Sequence, residues 1–107
     1  MIKDFCAGKL IILLTENDIP YLKMFQEELF KASGNVVTWG SRDNIDSKLT
    51  RSYIRSYDNR LLISYQNNRI YIADARMHPE SPIIPLQKLL EFRDYEIKES
   101  DVLNLLK

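Results

Sequence analysis

The sequence contains little of several residue types, and each shortage excludes a class of protein. Cys6 is the only cysteine in 107 residues, so no disulfide can form within the chain, which is typical of a reducing compartment. His78 is the only histidine, whereas a structural zinc site uses about four cysteine or histidine ligands. Only three glycines are present, which favours a compact chain with few special backbone conformations. We therefore expect a domain without a metal or cofactor.

Long hydrophobic runs and an excess of charge are also missing. The aliphatic run Leu10–Leu14 is shorter than the roughly 7–15 residues of a signal-peptide core and the roughly 20 that cross a bilayer. Fifteen basic residues balance fifteen acidic ones, whereas a dedicated binder of duplex DNA usually carries a basic excess. The sequence therefore predicts no membrane association and a cytoplasmic location.

What is present is the composition of one soluble globular domain. The chain is 45% hydrophobic and 28% charged, close to the norm for such domains. Its length corresponds to a single unit, residues 1–107. A chain of this size buries roughly 60–70% of the surface that its unfolded form exposes, so it can support its own core.

The clearest secondary structure is a helix from about Asp18 to Ser33. Asn17 and Asp18 are candidate N-caps, and Pro20 falls in the first turn, where its missing N–H costs nothing. Gly34 suits the left-handed residue that follows a helix. The apolar face has helical spacing and consists of Leu22, Phe25, Leu29 and Ala32. We expect this face to pack across a sheet.

Five strands are predicted around this helix. The aliphatic segment Lys9–Leu14 does not alternate, which favours a strand buried on both faces in the centre of the sheet. A hairpin joins Leu61–Tyr65 to Arg69–Ala73 through Gln66–Asn68, because asparagine tolerates the positive φ of tight turns. The remaining predicted strands are Val36–Trp39 and Tyr95–Lys98.

Short helical segments complete the predicted order. Leu86–Phe92 is expected to be a short helix, and Ser100 to cap a last helical turn. The hairpin pairs two strands without an intervening helix, which favours an α+β domain over a doubly wound sheet. We expect a mostly antiparallel sheet of four or five strands, with one long helix on one face and one or two short helices.

Residues 42–60 allow two structural interpretations and two functional ones. Apolar residues recur every four positions from Ile45 to Tyr57, which predicts a short helix, and polar interruptions favour an irregular segment almost equally. Basic and aromatic residues interleave at Lys48, Arg51, Tyr53, Arg55, Tyr57 and Arg60. Such mixtures suit single-stranded nucleic acid, whose bases stack on tyrosine. They also describe a solvated charged face beside core tyrosines, which is the interpretation we favour.

A second polar group follows the hairpin. Asp74, Arg76 and His78 lie two residues apart, so a continuing strand would place them on one face as an acid–base cluster. Pro79 follows them, and a solvated loop is the simpler interpretation. Cys6 has no second cysteine or histidine partner and is interpreted as a small hydrophobe near the first strand.

Two further features were weighed for function. The turn Thr15–Asp18 has no glycine-rich loop, and its carboxylates would repel phosphate at the helix N-terminus, which argues against a nucleotide enzyme. Trp39 is of a residue type enriched in interface hot spots, but at a strand end we favour a core position. The pair Ile83–Ile84 offers either a contact patch or an anchor for its loop.

The chain resembles a group of small phage and prophage proteins. The likeness rests on Thr15–Asp18 opening the helix, on Val36–Ser41 and on the hairpin Leu61–Ala73. The order Gly40–Ser41 departs from the Ser–Gly order of that group. Its members are mostly of unknown function, so the resemblance implies an accessory phage product and transfers no catalytic residue.

Three functional hypotheses follow. The first is a non-enzymatic domain that binds another protein, such as a phage accessory factor acting on a host component. The second is a nucleic-acid-binding domain that uses residues 48–60, and the third is a small hydrolytic or transferase activity around Asp74 and His78. A homodimer stays open, because the hairpin could present an unpaired edge. The candidate interaction surface comprises Trp39, Lys48, Arg51, Tyr53, Arg55, Tyr57, Arg60, Arg76 and His78.

Overall fold

The computed structural model describes residues 1–73 and 81–94, which form an α+β domain. The strands are β1 (Ile11–Leu14), β2 (Thr38–Trp39), β3 (Leu61–Gln66), β4 (Arg69–Ile72) and β5 (Ile83–Pro85). The helices are α1 (Ile2–Cys6), α2 (Leu22–Ser33), α3 (Ile45–Lys48), α4 (Arg51–Arg55) and α5 (Leu86–Glu91), with a 3₁₀ helix at Glu16–Tyr21. Among the described helices, none has the length and apolar character needed to cross a membrane.

The strands form one five-stranded sheet in the order β2-β4-β3-β1-β5. The pairs β1–β3 and β3–β4 are antiparallel, whereas β1–β5 and β2–β4 are parallel. The sheet is therefore mixed, and the expectation of a mostly antiparallel sheet was wrong. Strand patterning reports burial of each face and carries no information about a neighbour's direction, because that depends on the route of the connecting chain.

The hydrophobic core lies between one sheet face and the helices. Ile12 is aligned with Ile63 on one side and with Ile84 on the other, and all three are fully buried. Phe25 and Leu29 of α2 belong to the same buried cluster. The predicted apolar face of the long helix thus contributes to the same core as the sheet, and Ile84 acts as an anchor for its strand.

The start of the long helix differs from its prediction. Residues 16–21 form a 3₁₀ helix before α2 begins, and Thr15 rather than Asn17 is the N-cap. Asp18 is the third residue of a capping box, in which its Oδ2 accepts a hydrogen bond of 2.8 Å from the Thr15 N–H. At the other end, Gly34 has φ +74° and ends the helix as predicted.

A helix before the first strand was not predicted. α1 buries Met1, Ile2 and Phe5 in the core cluster, and the Phe5 ring lies 5.8 Å from that of Phe25. Cys6 is the last residue of α1 and packs against this core. Cys6 thus packs as a small hydrophobic side chain, as predicted, but it lies in a helix that was not predicted from the sequence. The i, i+3 and i+4 spacing of these apolar residues is the pattern that would have revealed α1.

The hairpin prediction is confirmed by the register and the turn. β3 and β4 pair antiparallel around Asn67 and Asn68, which both have positive φ, 51° and 63°. Each hairpin strand has a neighbour on both sides. The suggestion that the hairpin leaves an unpaired edge was therefore wrong, because β2 and β5 form the edges of the sheet.

The turn that follows the edge strand β2 takes up the hydrogen-bonding groups that Trp39 directs away from the sheet. The Trp39 N–H donates to the Asp43 carbonyl (2.9 Å), and the Trp39 carbonyl accepts from the Arg42 N–H (2.7 Å). Gly40 leaves room for the Tyr71 ring in this turn, because a Cβ there would lie 2.7 Å from that ring and would displace it. The outward backbone groups of Trp39 are thus occupied by the same chain.

Residues 42–60 contain two short helices rather than one. α3 ends at Lys48 and α4 begins at Arg51, with Ile45, Leu49 and Ile54 fully buried. The helical interpretation is confirmed in two separate turns, because Leu49 and Thr50 adopt non-helical φ and ψ between them. The predicted strand Tyr95–Lys98, the cap Ser100 and the group Asp74, Arg76 and His78 lie outside the described residues.

A candidate interaction surface around helix α4

Trp39 marks the inner end of the candidate surface. Its side chain is 7% exposed and belongs to the core cluster, so the core interpretation is correct and the indole is not itself a docking surface. The Tyr53 ring meets it edge-on, with ring centroids 6.0 Å apart and an interplanar angle of 88°. Tyr53 therefore rests on a fixed internal support.

A second ring contact carries this arrangement to the surface. The Tyr57 ring lies 5.4 Å from the Tyr53 ring, tilted by 59°, and Tyr57 is 39% exposed. We call Trp39, Tyr53 and Tyr57 the aromatic ladder. Such ring pairs contribute about 0.5–1.5 kcal/mol beyond their buried area. The ladder presents the outermost ring in a defined position.

Local sequence explains why α4 presents these side chains. The Thr50 hydroxyl caps the helix by accepting a hydrogen bond of 3.2 Å from the Tyr53 N–H. Ile54 faces the core, so Arg51 and Arg55, four residues apart, face solvent together.

The chain then leaves α4 through a turn that only a few residue types allow. Asp58 and Asn59 both have positive φ, 55° and 59°, which asparagine and aspartate tolerate best among non-glycine residues. The Asn59 Oδ1 accepts a hydrogen bond of 2.6 Å from the Glu16 N–H. This bond attaches the turn after α4 to the start of the 3₁₀ helix.

Arg55 does not present a free charge. Its Nε lies 2.5 Å from the Glu16 Oε2, and its Nη2 lies 3.2 Å from Oε1, so the pair is bidentate. The hydrogen bond from Arg55 lowers the pKa of the Glu16 carboxyl, and the nearby charges of Arg55 and Arg51 lower it further. The same pairing raises the pKa of Arg55. Both side chains are exposed enough for salt to screen the pair.

Lys48 is also engaged locally. Its Nζ lies 5.1 Å from the centroid of the Tyr53 ring, in a cation–π contact. Burial, followed by the contact with Tyr57, raises the pKa of Tyr53 to about 12. One face of the ring thus has a cation against it, which leaves less of Tyr53 for a stacking nucleobase.

Two of the predicted cations remain available. Arg51 and Arg60 are exposed, and neither forms an ion pair within residues 1–73 and 81–94. The structure therefore places Lys48 at the end of α3 and Arg51, Arg55 and Tyr57 on or just after α4. Lys48 is engaged by the Tyr53 ring and Arg55 by Glu16. Arg76 and His78 lie outside the described residues, so their relation to this surface stays a prediction.

The polar groups of the described interior are engaged in packing and hydrogen bonds. Burial raises the pKa of the Cys6 thiol to about 11, so it is not a thiolate at neutral pH. The buried carboxylate of Asp18 accepts hydrogen bonds from Thr15 and from the Gln87 side chain, the latter at 3.0 Å. In the part of the chain that the structure describes, no three acidic, cysteine or histidine side chains are grouped to hold a metal ion.

A second surface feature was missed by sequence reasoning. A groove of about 310 Å³, which we call the α2 groove, is lined by Gln26, Glu27, Phe30, Lys31, Val36 and Val37. Phe30 is 52% exposed and Val36 is 62% exposed. Phe30 lies off the apolar stripe of α2, and this misplaced aromatic residue was the available sign of the groove.

Comparison of the chain with known proteins adds no family. No family model, curated protein or solved structure matches it. The resemblance to phage and prophage proteins thus stays a prediction, and the function is argued from the surface itself.

Proposed function

We propose that the protein is a non-enzymatic interaction domain that binds another protein through the surface around α4. The observation that carries this proposal is the aromatic ladder, which holds the partly exposed Tyr57 ring just after α4. The exposed Arg51 at the start of the same helix forms no ion pair with the described residues. Tyrosine and arginine dominate binding hot spots because each supplies a large, well-defined contact with few mobile torsions or with several donors. A partner with an acidic or carbonyl-rich patch next to an apolar residue suits this surface.

The charge arrangement favours a protein over single-stranded nucleic acid. Arg55 is compensated by Glu16, and Lys48 lies against the Tyr53 ring. A nucleic-acid groove needs several uncompensated cations in a line, because phosphate contacts supply most of the affinity. The resemblance to phage accessory proteins extends the proposal to a partner from a host cell.

The test compares two double variants in quantitative affinity capture. Arg51→Ala combined with Tyr57→Ala removes the proposed contacts, whereas Lys23→Ala combined with Tyr21→Ala removes one positive charge and one tyrosine ring elsewhere. The control is closely matched, because Tyr21 is 40% exposed and Tyr57 is 39% exposed. We expect a partner that wild type and the control retain and that the first variant loses by about tenfold or more.

Direct binding then separates the outcomes. The captured partner, once purified, is titrated against all three proteins, and a single-stranded oligonucleotide is titrated in parallel at physiological salt. Equal binding of the partner by both double variants would refute the α4 surface. Micromolar oligonucleotide binding that depends on Arg51 and Tyr57 would replace the proposal with the nucleic-acid hypothesis.

A further inference from the structure

We propose that the α2 groove is the contact surface for a second copy of this chain. The contact is independent of the α4 surface. The floor of the groove is apolar, with Phe30 and Val36 both more than half exposed. Two large apolar side chains exposed side by side indicate a surface that is covered in use.

The charges on the rim indicate which molecule covers it. Glu27 and Lys31 line the groove one helical turn apart, and no cation of the described residues lies within ion-pair distance of Glu27. Lys31 approaches Glu28 at 3.4 Å, but Glu28 also lies 3.5 Å from Arg93. One acidic residue thus serves two basic ones, so Lys31 is only partly compensated, and the rim carries this ammonium group and the Glu27 carboxylate one helical turn apart.

Such a rim is complementary to itself. When two α2 helices meet antiparallel across a two-fold axis that passes level with position 29, residue 27 of each helix faces residue 31 of the other, because an isologous contact repeats each pair with the two copies exchanged. Glu27 then faces the second copy's Lys31 twice in one interface. A partner of uniform charge would satisfy one rim residue and repel the other.

The backbone beside the groove limits the form of the contact. Within the described residues, the N–H and C=O of Val37 have no hydrogen-bond partner. The next outward pair along the edge, that of Trp39, is closed by the turn through Arg42 and Asp43. A long added strand is therefore blocked at Trp39. The contact is formed mainly by side chains of two α2 helices, with Phe30 of each copy against Val36 of the other.

We expect a weak contact, because it is confined to one groove on each copy, whereas stable interfaces bury about 1,200–2,000 Å² in total. We expect a concentration-dependent dimer in sedimentation velocity between about 10 μM and about 1 mM protein. Phe30→Glu should raise the dimer dissociation constant by about tenfold or more, because it buries a carboxylate in the apolar floor. Met24→Glu is the control, as Met24 is an exposed apolar residue of α2 that lies outside the groove.

Charge exchange gives the decisive measurement. Glu27→Lys and Lys31→Glu should each weaken self-association by placing like charges opposite each other. An equimolar mixture of the two variants should associate more tightly than either alone, and the chain carrying both changes should regain the wild-type constant. Helical content and unfolding midpoints near wild-type values verify that all variants fold.

Other outcomes overturn the proposal. A protein that stays monomeric up to about 1 mM does not use the groove for self-association. A dimer that Phe30→Glu leaves intact, or whose charge variants fail to complement each other, is built on another surface. Binding of a different protein that Phe30→Glu abolishes, with no self-association of wild type, assigns the groove to that partner.

Discussion

The surface around α4 and the α2 groove both expose an aromatic side chain, and they differ in how that side chain is held. Around α4, Tyr57 rests on Tyr53, which rests on the buried Trp39. In the α2 groove, Phe30 is more exposed than Tyr57 and takes part in no ring contact among the described residues. The Tyr57 ring is packed against rings that lead back to the core, whereas the Phe30 ring has no such ring behind it among the described residues. Exposure alone does not separate these cases, whereas the contacts behind each ring do.

The largest expected difference between the two surfaces is in folding stability. Trp39→Ala removes the inner end of the ladder and opens a cavity in the core, so we expect a loss of about 3–5 kcal/mol in the free energy of unfolding. Phe30→Ala removes a half-exposed ring and should cost about 1 kcal/mol or less. Urea unfolding of both variants measures the two values, and similar losses would remove the distinction.

The turn after α4 should give the next largest effect. Asn59→Ala places alanine at a φ of 59° and removes the acceptor of the Glu16 N–H, which together should cost about 2 kcal/mol. Asn59→Gly removes the same hydrogen bond but tolerates the backbone angle, so it should cost less. If glycine is as damaging as alanine in urea unfolding, the hydrogen bond rather than the backbone angle controls this turn.

The ladder should also cause the free energy of unfolding to decrease at high pH. Burial, followed by the contact with Tyr57, raises the pKa of Tyr53 from the usual 10.0 of tyrosine to about 12, so folding opposes its ionisation. Stability from this group is complete below pH 10 and declines as the pH rises towards 12. Unfolding by urea across this interval should show a smaller decline for Tyr53→Phe than for wild type. Equal declines would mean that the ladder does not hinder ionisation.

The smallest effect concerns the exposed ion pair beside the ladder. Arg55→Ala should raise the lowered pKa of the Glu16 carboxyl towards its usual value, and Arg51→Ala should raise it less, because only a charge effect is lost. The pair's stabilisation is present above the unfolded-state pKa of glutamate and is lost as the pH falls through the lowered folded-state value. Carboxyl NMR titration gives both shifts, and an unchanged value in Arg55→Ala would contradict the pairing.

The sequence allowed the elements with strong local patterns to be predicted. The face containing Leu22, Phe25 and Leu29, the stop at Gly34 and the asparagine turn of the hairpin all depend on interactions within a few residues. Strand direction and the short edge strands depend on distant parts of the chain. The three prolines of residues 77–85, Pro79, Pro82 and Pro85, predict a loop there, whereas the structure has β5 at its end, with Ile84 fully buried beside Ile12.

The candidate surface was predictable as a list of residues but not as an arrangement. Interleaved basic and aromatic residues identified the segment, yet the pairing of Arg55 with Glu16 joins residues 39 positions apart. The same holds for the contact between Trp39 and Tyr53. The α2 groove left only Phe30 as a local sign, since Val36 and Val37 approach it through the turn after α2.

The short parallel strands at both ends of the sheet have a consequence for aggregation. Trp39 has its outward groups closed by its own turn, and Pro85 supplies no N–H at the end of β5. The Ile11 N–H donates to the Pro82 carbonyl, so alternation directs the backbone groups of Ile83 away from β1. Within residues 1–73 and 81–94, neither edge strand offers an unbroken row of donors and acceptors, which is the template that fibril growth copies. The folded domain should therefore resist seeding by its own chains even at high concentration.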